Sequence, residues 1–283
     1  MGKIDYKQNR GNPMHDSFEQ IEERFKIKTS NFRANIYGRS IEPVSKHAAW
    51  VSDHSSEVVY LYDSQGKKLR SDVIRGSRGI LDIAVCNNGD IIVSREDLKV
   101  SLLSVKGVLT TLIDTAPFVP TGICLTNKGK IVVGMSDQGG KNHVAVYTRY
   151  GKSKLRKITG RLKHNTHLFT FPYRVTVIEN QIIALNHWEN IVSVNENSGK
   201  LNWQYDGGLA RRDKEFGPVG LCSDRFSHVF VTDDNNHCIH IIDGKGITAE
   251  NHIYNHEKRD IFKTLGNRCG QSECENMVWK REL

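Results

Sequence analysis

Three stretches of this sequence group residue types that do chemistry. The first is His252 and His256, spaced His-x3-His, followed by Cys269 and Cys274, spaced Cys-x4-Cys. Imidazole and thiolate are zinc donors, and tetrahedral zinc asks only that four of them converge. The order is the reverse of a common finger, and the intervening segment lacks apolar anchors. The expectation is a polar tail that holds no metal. The second stretch is Asp233-Asp234-Asn235-Asn236-His237, which offers ligands for calcium or an acid–base pair. An aligned segment carries Asp53-His54-Ser55-Ser56-Glu57 at the same place. Asp and Asn close turns through side-chain-to-backbone hydrogen bonds, so a recurrent polar turn is expected, with no catalytic residues.

The third stretch, Arg149 to His164, holds seven Lys and Arg and no acid. Lys152, Lys154, Arg156, Lys157, Arg161 and Lys163 have the charge to neutralise phosphates of RNA. Tyr150, Phe169, Phe171 and Tyr173 supply rings on which bases stack. The competing reading is a solvated outer strand, the usual fate of a charge run. The sequence contains no nucleophile elbow, no phosphate loop and no His-Glu-x-x-His motif.

What positions these groups is a strand-rich unit repeating every 40–50 residues. Trp50–Asp63 and Phe230–Asp243 align without a gap: apolar strand, polar turn, apolar strand. Further copies are Leu81–Ser94, Ile123–Gly134, Val175–Ala184 and Leu221–Val231. The Asn87-Asn88-Gly89-Asp90 centre is a hairpin signal, because Asn and Gly tolerate positive φ. Each copy is followed by another alternating strand that ends near Gly107, Gly151, Gly199 or Gly246. A unit of this size cannot bury both faces of its own sheet, so it stacks on its neighbours.

The expectation is an all-β propeller of about six four-stranded blades, spanning residues 25–250. Five units are legible. The last blade or closure is expected to be irregular: either it is built from strands around residues 25–47 and the tail, or the ring is incomplete. Some closure is expected, because an open ring exposes unpaired sheet edges. Residues 1–24 read as a polar lead-in, either a short amphipathic helix, for which Ser17 and Gln20 suit a capping box, or a disordered segment. Residues 251–283 read as a polar tail.

No apolar run approaches the roughly 20 residues that cross a bilayer, so no membrane partner is expected and cytoplasmic residence is the default. Cys86, Cys124, Cys222 and Cys238 sit inside apolar strands and read as small buried hydrophobes. The net charge of +8 suits an anionic partner without requiring one.

The strings Ala49-Trp50-Val51-Ser52-Asp53, Asn87 to Ser94, Lys128 to Met135, Phe171 to Val177 and Gly220 to Asp243 resemble the C-terminal propeller of tripartite-motif proteins. The likeness is to the invertebrate-expanded members, whose repeats relate to the NHL repeat. It covers roughly residues 45–246. The resemblance implies a six-bladed propeller forming the target-binding end of an E3 ubiquitin ligase. It also implies a RING finger and B-box zinc sites. The first 80 residues here contain no cysteine, so this chain is expected not to transfer ubiquitin itself and needs no cofactor.

In a propeller the loops entering the inner strands converge on one mouth of the central channel. Arg78, Phe118, Tyr173, Arg174 and Phe216 fall there, with Pro120 and Pro218. They are the expected partner-binding residues, against the reading that the rings pack each loop onto the next blade. The function expected first is protein recognition. RNA binding on the basic run is the alternative, and a metal-dependent propeller hydrolase or lactonase the second. The last would need acidic residues at the starts of inner strands, and none is recognisable.

Overall fold

A computed structural model describes residues 38–255, except 46, 54–55, 163–164, 209–213, 225 and 247, and also Ser30–Asn31 and Trp279–Lys280. The polar lead-in of residues 1–24, the pair Cys269 and Cys274, His256 and Lys163 lie outside the described residues.

After β1 (Ser30–Asn31), the strands form five antiparallel sheets of four. Blade one is β2–β5: Gly38–Ser45, Ala48–Asp53, Val58–Asp63 and Lys68–Val73. Blade two is β6–β9: Ile80–Val85, Ile91–Arg95, Lys99–Leu103 and Leu109–Asp114. Blade three is β10–β13: Val119–Leu125, Ile131–Ser136, His143–Tyr147 and Lys154–Ile158. Blade four is β14–β17: Pro172–Ile178, Gln181–Asn186, Asn190–Asn195 and Leu201–Tyr205. Blade five is β18–β21: Pro218–Ser223, Val229–Asp233, Cys238–Ile242 and Thr248–Asn255. The two-residue β22 (Trp279–Lys280) pairs in parallel with β1.

The expected count of about six is corrected to five among the described residues. The reason is local pairing. Gly38–Ser45, expected to help close a sixth blade, instead pairs with β3 as the first strand of blade one. Thr248–Asn255 pairs with β20 as the last strand of blade five and carries the propeller past residue 250.

Blades meet through their first strands: β2 packs on β6, β6 on β10, β10 on β14 and β14 on β18. Among the described residues β18 and β2 do not pack in this way. The apolar core is therefore divided into four layers, one between each successive pair of blades. Val93, Val133, Ile183 and Val231 recur at one position of the second strands, and all are fully buried. Complete burial of such a side chain stabilises by about 1.5–3 kcal/mol.

Every first strand carries one extra residue near its start. The register slips between Gly38 and Ser40, Ile80 and Asp82, Pro120 and Ile123, Pro172 and Arg174, and Pro218 and Gly220. A bulge bends its strand and re-aims the side chains beside it. The extra residues include Arg39 in blade one and Tyr173 in blade four, which places them where the first strands enter the channel.

Polar bonds then stitch the blades in sequence. Ser40 Oγ donates to Asp82 Oδ1 at 2.5 Å, Ser94 Oγ to the Thr121 carbonyl at 2.8 Å, and Thr121 Oγ1 to the Pro172 carbonyl at 2.6 Å. The Thr176 and Ser223 hydroxyls meet at 2.8 Å. At Gly134 a Cβ would lie 2.2 Å from the Pro172 carbonyl oxygen and 2.7 Å from Thr121 Oγ1. Blade three therefore approaches blade four more closely than any side chain at Gly134 permits.

Candidate functional site at the propeller mouth

Asp82 is the electrostatic centre of the channel. It sits on β6 with its side chain 1% exposed, and the guanidinium Nη1 of Arg174 on β14 lies 3.1 Å from Oδ1. Oδ2 accepts the Ile123 amide of β10 at 2.9 Å. Arg174 also donates to the Leu81 carbonyl of blade two at 3.2 Å and to the Arg39 carbonyl of blade one. One side chain of blade four thus ties blades one and two across the channel. Burial works against the Arg174 charge, but Asp82 more than offsets it and holds the guanidinium charged.

Above this pair lies an aromatic ladder. Asn186, fully buried, accepts the Thr170 amide through Oδ1 and donates through Nδ2 to the Leu168 carbonyl and to Asn190 Oδ1. It thereby fixes the loop entering β14 against the β15–β16 turn. Tyr173 and His187 have ring centroids 4.7 Å apart, Phe171 stacks on Tyr173 at 6.0 Å, and His187 meets Trp188 edge-on at 5.5 Å. Arg174 lies 4.5 Å and Arg39 5.9 Å from the Tyr173 ring centroid, within cation–π range. Burial lowers the His187 pKa, and repulsion from Arg174 and Arg39 lowers it further. The imidazole is neutral at neutral pH.

Trp188 is 45% exposed and Phe171 37%. Trp188 adopts φ 62°, and its amide donates to the Pro218 carbonyl of blade five at 3.3 Å. Left-handed backbone costs an L-residue about 1–2 kcal/mol. The turn therefore presents a large ring to solvent in a conformation that its own side chain disfavours.

The expected mouth residues separate into two kinds. Arg78 is exposed in the turn before β6, and Tyr173 is half-buried in the ladder. Arg174 is buried and committed to Asp82. Phe216 is buried and packs edge-on against Tyr205 and His240, which joins blades four and five. Phe118 is half-buried, edge-on to His143 at 4.6 Å, in the layer between blades two and three. For Phe216 and Phe118 the loop-packing reading describes their placement. Sequence reasoning missed Arg39, His187 and Trp188. An aromatic pair inside a hairpin turn, His187-Trp188, was the available signal. It also missed the inner-strand acids, since Asp82 and Glu42 are both buried on first strands.

The basic run lies where a solvated outer strand was expected. On β13, the outermost strand of blade three, Lys154, Arg156 and Lys157 are exposed, as are Lys152 and Arg161 beside it. Lys154 lies over the Tyr147 ring and Lys157 over Phe118, while Arg161 donates to the Asn165 carbonyl. Phe169 is buried core, which removes it from any stacking surface. The 233–237 turn is a closed turn, as expected: Asp233 Oδ1 accepts the amides of Asn236 and Gly217, both at 3.1 Å.

These sheets and their shared channel define a β-propeller. No family model matches the chain, and no curated protein matches it in sequence. Solved structures match the fold. A streptogramin B lyase aligns with a TM-score of 0.62 at 18% identity, over 86% of this chain and 77% of the lyase. A structure of a nidogen/laminin complex aligns at 0.63 and 12% identity, over 78% and 81%. The β-propeller domain of Swd1 from Myceliophteria thermophila aligns at 0.55 and 13%, over 78% and 74%. At these identities the likeness is one of fold. No helix among the described residues is long and apolar enough to cross a membrane.

Proposed function

We propose that this protein is a non-catalytic recognition module whose propeller mouth binds a protein partner, in a setting related to the target-binding end of tripartite-motif ubiquitin ligases. The observation that carries the reading is the ladder Phe171–Tyr173–His187–Trp188 beside Arg39. Its outer rings are exposed, and its inner end is fixed by the Arg174–Asp82 pair. Aromatic and Arg side chains on a rigid, partly desolvated support are the groups that dominate protein interfaces. The catalytic alternative is weakened because the channel carboxylate Asp82 is already neutralised by Arg174.

The test is a peptide-display selection on the immobilised full chain, followed by affinities of the recovered peptides for variants. Trp188→Ala and Phe171→Ala are expected to weaken binding at least tenfold, about 1.4 kcal/mol. The triple change of Lys154, Arg156 and Lys157 to Ala is expected to leave it unaltered. The opposite pattern, together with RNA binding that weakens steeply with salt, would transfer the function to β13.

A further inference from the structure

Away from the mouth, three buried donor groups converge in blade five. The Asp233 carboxylate, Cys238 thiol and His240 imidazole offer one ligand atom each, and these atoms lie within 4.8 Å of one another. His240 Nε2 is 3.1 Å from Asp233 Oδ2 and 3.4 Å from Cys238 Sγ. All three residues are at most 2% exposed. Neighbouring donors around tetrahedral zinc, with bonds of about 2.0 Å to N or O and 2.3 Å to S, sit roughly 3.3–3.7 Å apart.

The Nε2 of a neutral imidazole carries either one proton or one lone pair, and here it faces both a carboxylate and a thiol. Without a metal, Nε2–H donates to Asp233 and Nδ1 accepts the Tyr205 hydroxyl proton. A cation at the convergence point instead takes an electron pair from all three. The surroundings are compatible with that use. Tyr205 Oη, on the last strand of blade four, lies 2.7 Å from His240 Nδ1. With a metal bound, the Tyr205 oxygen accepts the Nδ1 proton, which leaves the Nε2 lone pair for the metal, as the outer partners of ligating histidines do. Asp233 is oriented through Oδ1 by two amides, and Asn236 Nδ2 donates to Oδ2 at 2.7 Å.

We propose that Asp233 Oδ2, Cys238 Sγ and His240 Nε2 form a binding site for zinc or a cation of zinc-like preference, with a fourth position for water. The thiolate and imidazole select this class over calcium or magnesium, which prefer oxygen. Binding forms the metal–sulfur bond and releases the thiol proton to solvent, so affinity rises with pH. The site joins the β19–β20 hairpin and, through Tyr205, fastens the last blade to blade four.

The test uses cobalt(II) and zinc on the full chain. Because Cys269 and Cys274 are also candidate ligands, the parent is the Cys269→Ser/Cys274→Ser variant. It is expected to bind one cobalt per chain with a thiolate-to-cobalt charge-transfer band, and zinc is expected to displace the cobalt and raise Tm. Cys238→Ser in that background is expected to abolish the band and weaken zinc binding more than tenfold, with an unchanged far-UV spectrum. Cys222→Ser is expected to leave both intact. Should Cys238→Ser not fold, the parent's band and stoichiometry still decide. A parent without the band, or a Cys238→Ser protein that retains it, overturns the proposal.

Discussion

Arg174 and Asp82 stand in blades four and two, which are not neighbours, yet their side chains meet at 3.1 Å inside the channel. The pair braces the ring from within, and the exposed aromatic ladder rests on it through the Tyr173 ring.

Breaking the brace from one side leaves a buried charge without its counter-ion. Arg174→Met is expected to destabilise by about 3–5 kcal/mol in urea unfolding. The double variant Arg174→Met/Asp82→Asn is expected to lose less than the sum of the single changes, since the two act as one unit. A near-neutral Arg174→Met would show that the pair does not hold the blades.

Trp188 allows binding to be separated from folding. Gly accepts φ 62° without strain, so Trp188→Gly is expected to keep stability within about 1 kcal/mol. Partner affinity is expected to fall at least tenfold. Loss of fold together with binding would make Trp188 a packing residue.

The approach of blade three to blade four leaves no room for a methyl group. Gly134→Ala places a Cβ against the Pro172 carbonyl and is expected to cost about 1–3 kcal/mol. Gly140→Ala serves as a control for steric crowding, because nothing lies within 4 Å of its Cβ position, although its φ of 72° adds backbone strain. Equal losses in the two would remove the crowding argument.

Histidines of opposite sign give a pH signature. The side-chain bond to Asp224, at 2.9 Å, raises the His228 pKa above 6.5 against the effect of burial. Its stabilisation is full below that value and is lost as pH rises through the folded-state pKa. His228→Gln is therefore expected to lose more stability relative to the parent at about pH 5 than at about pH 9. His187 has a lowered pKa, so its folded form resists the proton that the unfolded chain takes up. Its stabilisation is lost as pH falls below 6.5, and His187→Gln is expected to reduce acid sensitivity. Chemical denaturation across pH reads both.

The strands were legible in the sequence because their signals are local. Alternation such as Ile91-Ile92-Val93, and turns such as Asn88-Gly89, act within a few residues, so Val93, Val133, Ile183 and Val231 fell at one buried position. The exposed outer strand Lys154–Ile158 was legible for the same reason. The number of blades was not, because the pattern of Gly38–Ser45 suits either a hairpin with Ala48–Asp53 or a strand that closes a sixth blade, and does not by itself choose between these partners. Nor was the fate of Arg174. Its neighbour Tyr173 is the bulge residue, half-buried in the ladder, while Arg174 turns inward to a carboxylate two blades away. Asp233, Cys238 and His240 read as turn and strand residues, and only the packing of blade four on blade five brought a phenol to the imidazole. Local patterning determined the strands and their faces. Which charged and aromatic groups meet was decided by the packing of successive sheets around a channel, a long-range condition that no short stretch of chain encodes.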